Sequence, residues 1–367
     1  MNKRLTIAAL PLAALIALPA CELGPKEVEQ TGYRGTGLEQ IYDPDNFVTP
    51  AAMPDAPYAL PPDTGPRAGA VYQNVQVLGD MSVERFDHLM AAITEWVSPE
   101  QGCNYCHDPA NLAADNVYTK IVARQMIEMT RAINGRWASH VGDTGVTCFT
   151  CHRGEPVPTF IWANRDRSDD LSVRGQRRGQ NAPSANVGYS SLPYDVFRGY
   201  FSGDPDEIRV ASNSGYPSKR HQVPIKAAEE SYGIMMHLSE ALGVNCTYCH
   251  NTQSFREWTL SRAQRATAYY GIRMVRDINH GYIRPLTGIL PAARKGPAGD
   301  PFKVNCLTCH NGQAKPLGGV SVLSQYPYMR PPGAVSAADQ VGPEGAVPEL
   351  LERPEMLTQP EGGANGL

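Results

Sequence analysis

The sequence predicts a mainly α-helical chain of two similar halves, with little β structure and long irregular connectors. Two observations carry this. Eight of the nine cysteines fall into four C-x-x-C-H units, Cys103–His107, Cys148–His152, Cys246–His250 and Cys306–His310. The stretches before them repeat: Met90-Ala-Ala-Ile-Thr-Glu95 matches Met235-Met-His-Leu-Ser-Glu240, and Met129-Thr-Arg-Ala-Ile-Asn134 matches Met274-Val-Arg-Asp-Ile-Asn279. Units one and three thus share a preceding segment, and so do two and four, the mark of an internal duplication. The spacing agrees: 45 residues separate His107 from His152 and 60 separate His250 from His310, against 98 between the pairs. Two halves with a pseudo-twofold relation follow, at 71–158 and 225–325.

Each unit is preceded by a helical pattern. Phe86, Leu89, Met90, Ile93 and Val97 keep helical spacing after a capping Ser82, and Pro99 and Gly102 stop the run. Tyr118, Val122, Met126, Met129 and Ile133 form the second stripe. Ala228, Tyr232, Met235 and Leu242 form the third, ended by Gly243. The fourth carries Tyr270, Met274 and Ile278, with Ser261 as its cap. The connector at 159–224 is polar and rich in Arg, Asp, Gly and Ser, with one strand-like stretch, Asp206 to Ala211. The segment at 21–70 is rich in Pro and Gly and reads as chain running over a surface. The tail at 326–367 is rich in Pro, Gly and Ala, and reads as poorly ordered.

The first twenty residues read as a signal peptide. Lys3 and Arg4 precede an apolar run, Leu5 to Ala20, that is short and broken by Pro11 and Pro19, which disfavours a membrane-spanning helix. It ends Leu18-Pro19-Ala20-Cys21, which resembles a lipoprotein cleavage site despite the unusual Pro19. Cleavage there makes Cys21 the lipid-bearing N-terminus. Loss of Cys21 with an ordinary signal peptide, or an uncleaved anchor, are the alternatives. The formal charge of −4 becomes −6 without Lys3 and Arg4, since 31 basic residues then face 37 acidic ones. Nothing in this balance points to nucleic acid, and a mildly acidic surface suits a basic protein partner.

C-x-x-C-H is the attachment signature of c-type haem. The thiols of Cys103, Cys106, Cys148, Cys151, Cys246, Cys249, Cys306 and Cys309 form thioethers with haem vinyl groups. The following histidines, His107, His152, His250 and His310, lie beneath the irons as proximal ligands. A zinc ribbon would set two C-x-x-C units about 15–20 residues apart, much closer than these. A redox dithiol needs no adjacent histidine. With 9 histidines in 367 residues, four such placements by chance are on the order of one in millions. Four covalent haems are expected, attached outside the cytoplasm in keeping with the export signal.

A pure electron carrier also fills the distal position, usually with Met or His. Met90 and Met235 occupy matching places before units one and three. For the second haem, Met126 and Met129 stand one turn apart: Met129 aligns with Met274 and Met126 with Gly271. If the ligand slot is that of Met126, the fourth haem has lost its own, leaving His140, Met274 and His280 as candidates. Arg265, Arg273 and Arg276 either pair with haem propionates or form a solvated face.

The chain resembles the tetrahaem cytochrome subunit of purple-type bacterial photosynthetic reaction centres. The resemblance rests on Ala92-Ile-Thr-Glu-Trp-Val-Ser-Pro99, Gly145-Val-Thr-Cys-Phe-Thr-Cys-His-Arg-Gly154 and Gly271-Ile-Arg-Met-Val-Arg276, and spans nearly all of the mature chain. It implies His/Met ligation through Met90, Met126 and Met235 at haems one to three, and bis-His ligation at the fourth through His140. It further implies a lipid-anchored subunit on the periplasmic face of the membrane, bound to the reaction-centre core. Such a subunit takes electrons from a soluble c-type cytochrome or high-potential iron–sulfur protein and passes them to the photo-oxidised bacteriochlorophyll pair, with the third haem nearest the pair. A multihaem reductase would need one haem with an open distal site, and four distal candidates for four haems argue against it. A storage cytochrome serving another membrane enzyme differs only in its partner.

Overall fold

Helices dominate the computed structural model, as the sequence predicts. It describes residues 27–30, 39–42, 44, 49–164, 185–188, 190–192, 196–202, 225–255 and 258–334. Its α-helices are α1 Ala68–Val71, α2 Val83–Val97, α3 Tyr118–Arg136, α4 Ala138–Val141, α5 Cys148–His152, α6 Val196–Phe201, α7 Ile225–Leu242, α8 Ala263–Asp277 and α9 Cys306–His310. Among the described residues, sheet is limited to two antiparallel pairs. β1 Glu27–Gln30 pairs with β2 Glu39–Tyr42, and β3 Ile161–Trp162 with β4 Lys303–Val304. Asp206–Ala211, the strand expected in the connector, lies outside the described residues.

The four expected helices are α2, α3, α7 and α8. The buried face of α2 is His88, Leu89, Ala92 and Trp96, spaced as a helix facing a core requires. Ser82 precedes α2 in extended backbone, but its hydroxyl donates to the Pro62 carbonyl at 3.5 Å and caps nothing. The fourth helix starts later than expected. Arg262, not Ser261, is its N-cap residue, and Ser261 Oγ instead accepts from Arg265 at 2.8 Å. α7 stops at Gly243 for two reasons. Its φ is +64°, and an added Cβ would lie 2.3 Å from the Gly312 carbonyl oxygen. α8 runs on into a π-helical turn, Ile278–Ile283.

Three packed clusters organise these helices. The first surrounds Trp96: Leu89 and Ala92 of α2, Phe149 of α5, and Tyr326, Tyr328 and Met329 from far along the chain. The tail expected from 326 therefore begins inside a core. Tyr326 and Met329 are fully buried, because the chain folds back onto α2 after α9. Residues 335–367 lie outside the described residues. The second cluster joins Phe197 and Phe201 of α6 to Ile234 and Ala241 of α7 and Ile272 and Val275 of α8. The expected polar connector thus holds a buried helix. Each of those Phe side chains contributes about 1.5–3 kcal/mol by leaving water. The third cluster, Met129, Ile133, Val146, Met274, Ile278 and Ile283, joins α3 to α8. The N-terminal segment from residue 49 drapes over α2: the Pro61 carbonyl accepts from Arg85 Nε at 3.0 Å and that of Tyr58 from His88 Nε2 at 3.0 Å.

Candidate functional site

The four C-x-x-C-H units fold in two ways, and the two ways alternate. Units one and three form 3-10 turns, Gly102–Tyr105 and Cys246–Tyr248. Units two and four form the short helices α5 and α9. Local sequence explains the second form. Thr147 N donates to Thr150 Oγ1 at 3.0 Å, and Asn305 N to Thr308 Oγ1 at 2.9 Å, so each helix start is tied to its own first turn. Each ends on a left-handed residue, Arg153 (φ 52°) or Asn311 (φ 51°), followed by a positive-φ glycine, Gly154 or Gly312. Those glycine amides then donate to the C-terminal ends of α2 and α7, Gly154 N to Trp96 O at 2.8 Å and Gly312 N to Ala241 O at 2.9 Å.

The histidines that close the four units follow the same alternation. His107 Nδ1 donates to Leu112 O at 2.9 Å and His250 Nδ1 to Phe255 O at 3.2 Å, each five residues on. His152 Nδ1 donates to Glu155 O and His310 Nδ1 to Gln313 O, both at 2.9 Å and three residues on. A carbonyl only accepts, so the proton sits on Nδ1 and leaves the Nε2 lone pair to face a metal. Burial pushes the pKa of His152, His250 and His310 down, the last to about 4, which keeps these imidazoles neutral as ligation requires.

The distal candidates divide by burial. Met90, Met126 and Met235 are half-buried, whereas Met129 and Met274 lie in the cluster joining α3 to α8. Met126 packs against the edge of that cluster and stays half-buried, whereas Met129 is buried within it. A second signal agrees. Thr94 Oγ1 donates to Met90 O at 2.9 Å and Thr130 Oγ1 to Met126 O at 2.8 Å, and Ser239 holds the same place after Met235. A hydroxyl four residues after the methionine marks Met126, while Ile133 follows Met129 at that distance. His280, another candidate for the fourth site, is exposed on the π-helical turn and meets Arg284 Nη2 at 3.2 Å.

His140 of α4 reaches across to α8. Its Nδ1 donates to Thr267 O of α8 at 2.8 Å, and its ring rests on Gly271, where an added Cβ would stand 2.6 Å from Cε1. The missing side chain at Gly271 is the space that His140 fills. Its ring centroid lies 6.0 Å from that of His310. A metal about 2 Å from each of two imidazole nitrogens holds ring centroids roughly 6 Å apart, so the pair fits an iron between them. Close by, the sulfurs of Cys151 and Cys309 meet at 2.7 Å and Arg153 Nη2 donates to Cys309 O at 2.9 Å, so units two and four face each other.

Two positioning residues escaped the sequence reading. Asn134 accepts from Val146 N at 2.8 Å and donates to Val146 O at 2.9 Å. Asn279 does the same with Val304, both at 2.9 Å. Each valine stands two residues before a unit's first cysteine, so the two asparagines hold units two and four against α3 and α8. They ended the repeat segments in the sequence, which was the available signal.

The thiols suit thioether formation rather than a metal–thiolate site. Burial pushes Cys148 and Cys306 up to about 12 and Cys249 to about 11, far from the thiolate that zinc needs. Among the described residues no group of three His, Cys, Asp or Glu is placed to hold a metal ion. The three arginines of the fourth helix are engaged. Arg265 stacks over Trp258 at 4.0 Å, Arg273 meets Tyr269 Oη at 3.4 Å, and Arg276 Nε donates to Tyr200 O at 3.1 Å. Cys21 lies outside the described residues.

Comparison with known proteins bears on the same stretch of chain. The family model for the photosynthetic reaction centre cytochrome C subunit matches residues 22–330. The photosynthetic reaction center cytochrome c subunit of Rubrivivax gelatinosus is 46% identical over 344 residues, covering 92% of this chain and 93% of that protein. That of Thermochromatium tepidum is 46% identical over 329 residues, covering 89% and 81%. That of Roseobacter denitrificans is 37% identical over 317 residues, covering 82% and 84%. With a match that takes in all four C-x-x-C-H units, the chain belongs to the family of photosynthetic reaction centre cytochrome c subunits, electron-transfer components with covalently bound c-type haem.

Proposed function

We propose that the chain is a four-haem relay that takes electrons from a soluble c-type cytochrome or high-potential iron–sulfur protein and re-reduces the photo-oxidised bacteriochlorophyll pair of a reaction centre. In this reading it sits on the periplasmic face, anchored by lipid on Cys21, against the reaction-centre core. No helix of the described residues is long and apolar enough to cross a membrane.

The observation that carries the reading is the His140–His310 pair, 6.0 Å apart across the space left by Gly271. It supports a filled sixth position where the repeat would otherwise leave one open, and a filled position favours a carrier over an enzyme with substrate chemistry of its own. Haem iron supplies one-electron exchange between two oxidation states. The cysteines at 103, 106, 148, 151, 246, 249, 306 and 309 hold the groups. His107, His152, His250 and His310 present Nε2 because a backbone carbonyl holds each Nδ1–H. Met90, Met126 and Met235 present sulfur at sites one to three and His140 an imidazole at site four. The alternating geometry of the units supports two duplicated dihaem halves, 71–158 and 225–325, joined by the 159–224 connector.

The test is a flash-induced absorbance change at the haem α-band in membranes carrying this chain. Rapid haem oxidation after the flash, lost on deletion of the chain, is expected. Reducible haems that never respond to the flash would refute the role as donor to the pair.

A further inference from the structure

Lys120 of α3 is 7% exposed, a charge held almost out of water. Its Nζ donates to the carbonyls of Leu112 at 2.9 Å and Ala114 at 2.8 Å, and pairs with Asp115 at 3.3 Å. The Leu112 oxygen is also the acceptor of His107 Nδ1, at 2.9 Å. One carbonyl therefore serves the proximal imidazole of the first site and a buried ammonium together. Arg124, one turn along α3, donates to both oxygens of Asp115, at 2.8 and 3.0 Å. The Arg124 guanidinium, with Asn74 and Lys120, holds the Asp115 carboxyl well below its ordinary range, so it stays ionised. Two cations thus face the Asp115 carboxylate, and the Asp108 carboxyl beside His107, held low by Asn116, is the second anion of the same loop.

We infer that Lys120 raises the reduction potential of the haem at the first unit, Cys103–His107. The inference rests on the reading of His107 and Met90 as that haem's axial ligands. Two effects act in the same direction. The ferric state carries one more positive charge than the ferrous state, and a partly desolvated ammonium on the proximal side opposes it through space. Through the shared oxygen, the ammonium also weakens the pull of Leu112 on the His107 N–H. That leaves the imidazole a poorer electron donor to iron, which again disfavours the ferric state. The duplication adds an independent sign of purpose. Lys120 stands six residues before Met126 and Arg265 six before Gly271, so both halves carry a cation at this helical place. A purely structural role is weakened by the other ties on the same loop: Asn74 Nδ2 donates to Ala113 O at 2.6 Å and to Asp115 at 3.0 Å.

The test is a redox titration of the haem α-band in the full-length holoprotein, for the parent and the K120M, D115N and M90H variants. M90H identifies the first-site component, because histidine in place of methionine lowers its potential. In K120M that component's reduced-to-oxidised ratio at fixed poise is expected to fall about tenfold, or about 59 mV for one electron. In D115N it is expected to rise, and the other components are expected to stay in place. A first-site component unmoved in K120M overturns the inference. So does a D115N component that moves the same way as K120M, because that is the behaviour of a disturbed loop and not of charge. If K120M fails to retain haem, D115N decides: a rise supports the inference and its absence overturns it. An M90H variant that moves no component sinks the ligand reading and the inference together. A component that moves in M90H but not in K120M sinks the inference alone.

Discussion

Replacing Gly271 with alanine isolates the feature that distinguishes the fourth site. In an ordinary helix interior this change stabilises by about 1 kcal/mol. Here the new Cβ would stand 2.6 Å from His140 Cε1, 2.9 Å from Nδ1 and 3.2 Å from Nε2. To reach an ordinary contact of 3.4 Å the ring has to retreat by about 0.8 Å. It is not free to do so, since its Nδ1–H is held by the Thr267 carbonyl, one turn earlier on the same helix. Overpacking of this kind costs about 1–3 kcal/mol, enough to cancel the propensity gain. The displacement is a large part of an imidazole–metal bond of about 2 Å. The expected result is loss of bis-imidazole low-spin character at one of the haems, read by low-temperature electron paramagnetic resonance of the oxidised protein. A shifted midpoint for that haem alone should accompany it. In an H140A background the same substitution has no ring to displace and should stabilise the protein by about 1 kcal/mol, so the two positions couple strongly. An unchanged spectrum and unchanged midpoints in G271A would refute the account of Gly271 as the space that His140 occupies.

Substituting leucine separately at Met126 and Met129 should divide ligation from packing: M126L shifts one haem midpoint and its spectrum, whereas M129L moves neither and costs less than about 1.5 kcal/mol in chemical denaturation. Asn279→Ala leaves the Val304 amide and carbonyl without their side-chain partner, with a stability loss of about 2–4 kcal/mol by thermal melting, and Asn134→Ala should behave alike at Val146. His237 is packed against Phe197 and Phe201, and burial pushes it down to about 3. The unfolded chain protonates this residue near 6.5 while the folded chain keeps it neutral. Stability is therefore lost as pH falls below 6.5, at about 1.4 kcal/mol per unit, and levels off near 3. H237L should remove that contribution, seen as a shallower acid slope in melts between pH 7 and pH 5.

Residues adjacent in the chain were the legible ones. Each C-x-x-C-H unit is five consecutive residues, so the c-type haem chemistry could be read without any fold. Helical period did the same for α2, α3, α7 and α8, because an apolar stripe is a property of one helix alone. Capping was less legible. Ser82 and Ser261 have the right chemistry, yet the Ser82 hydroxyl donates to the Pro62 carbonyl and Ser261 accepts from Arg265, since the neighbouring chain competes for the same groups. α6 was missed because a six-residue helix inside a polar stretch has too few residues to show a period. Its Val196, Phe197, Tyr200 and Phe201 were the signal.

By itself the sequence determined that the chain is helical and haem-binding, and that its C-x-x-C-H units match one with three and two with four. Tertiary structure alone decided the rest. Burial of Met129 in the seam between α3 and α8 leaves Met126 as the half-buried sulfur. Folding back of residues 316–330 places Tyr326 against Trp96 and makes core out of an apparent tail. The meeting of His140 with Gly271 joins residues 131 positions apart, a contact visible only once α4 is packed on α8. The physical reason is common to all three: local pattern records which face of an element is apolar, but not which distant element covers it.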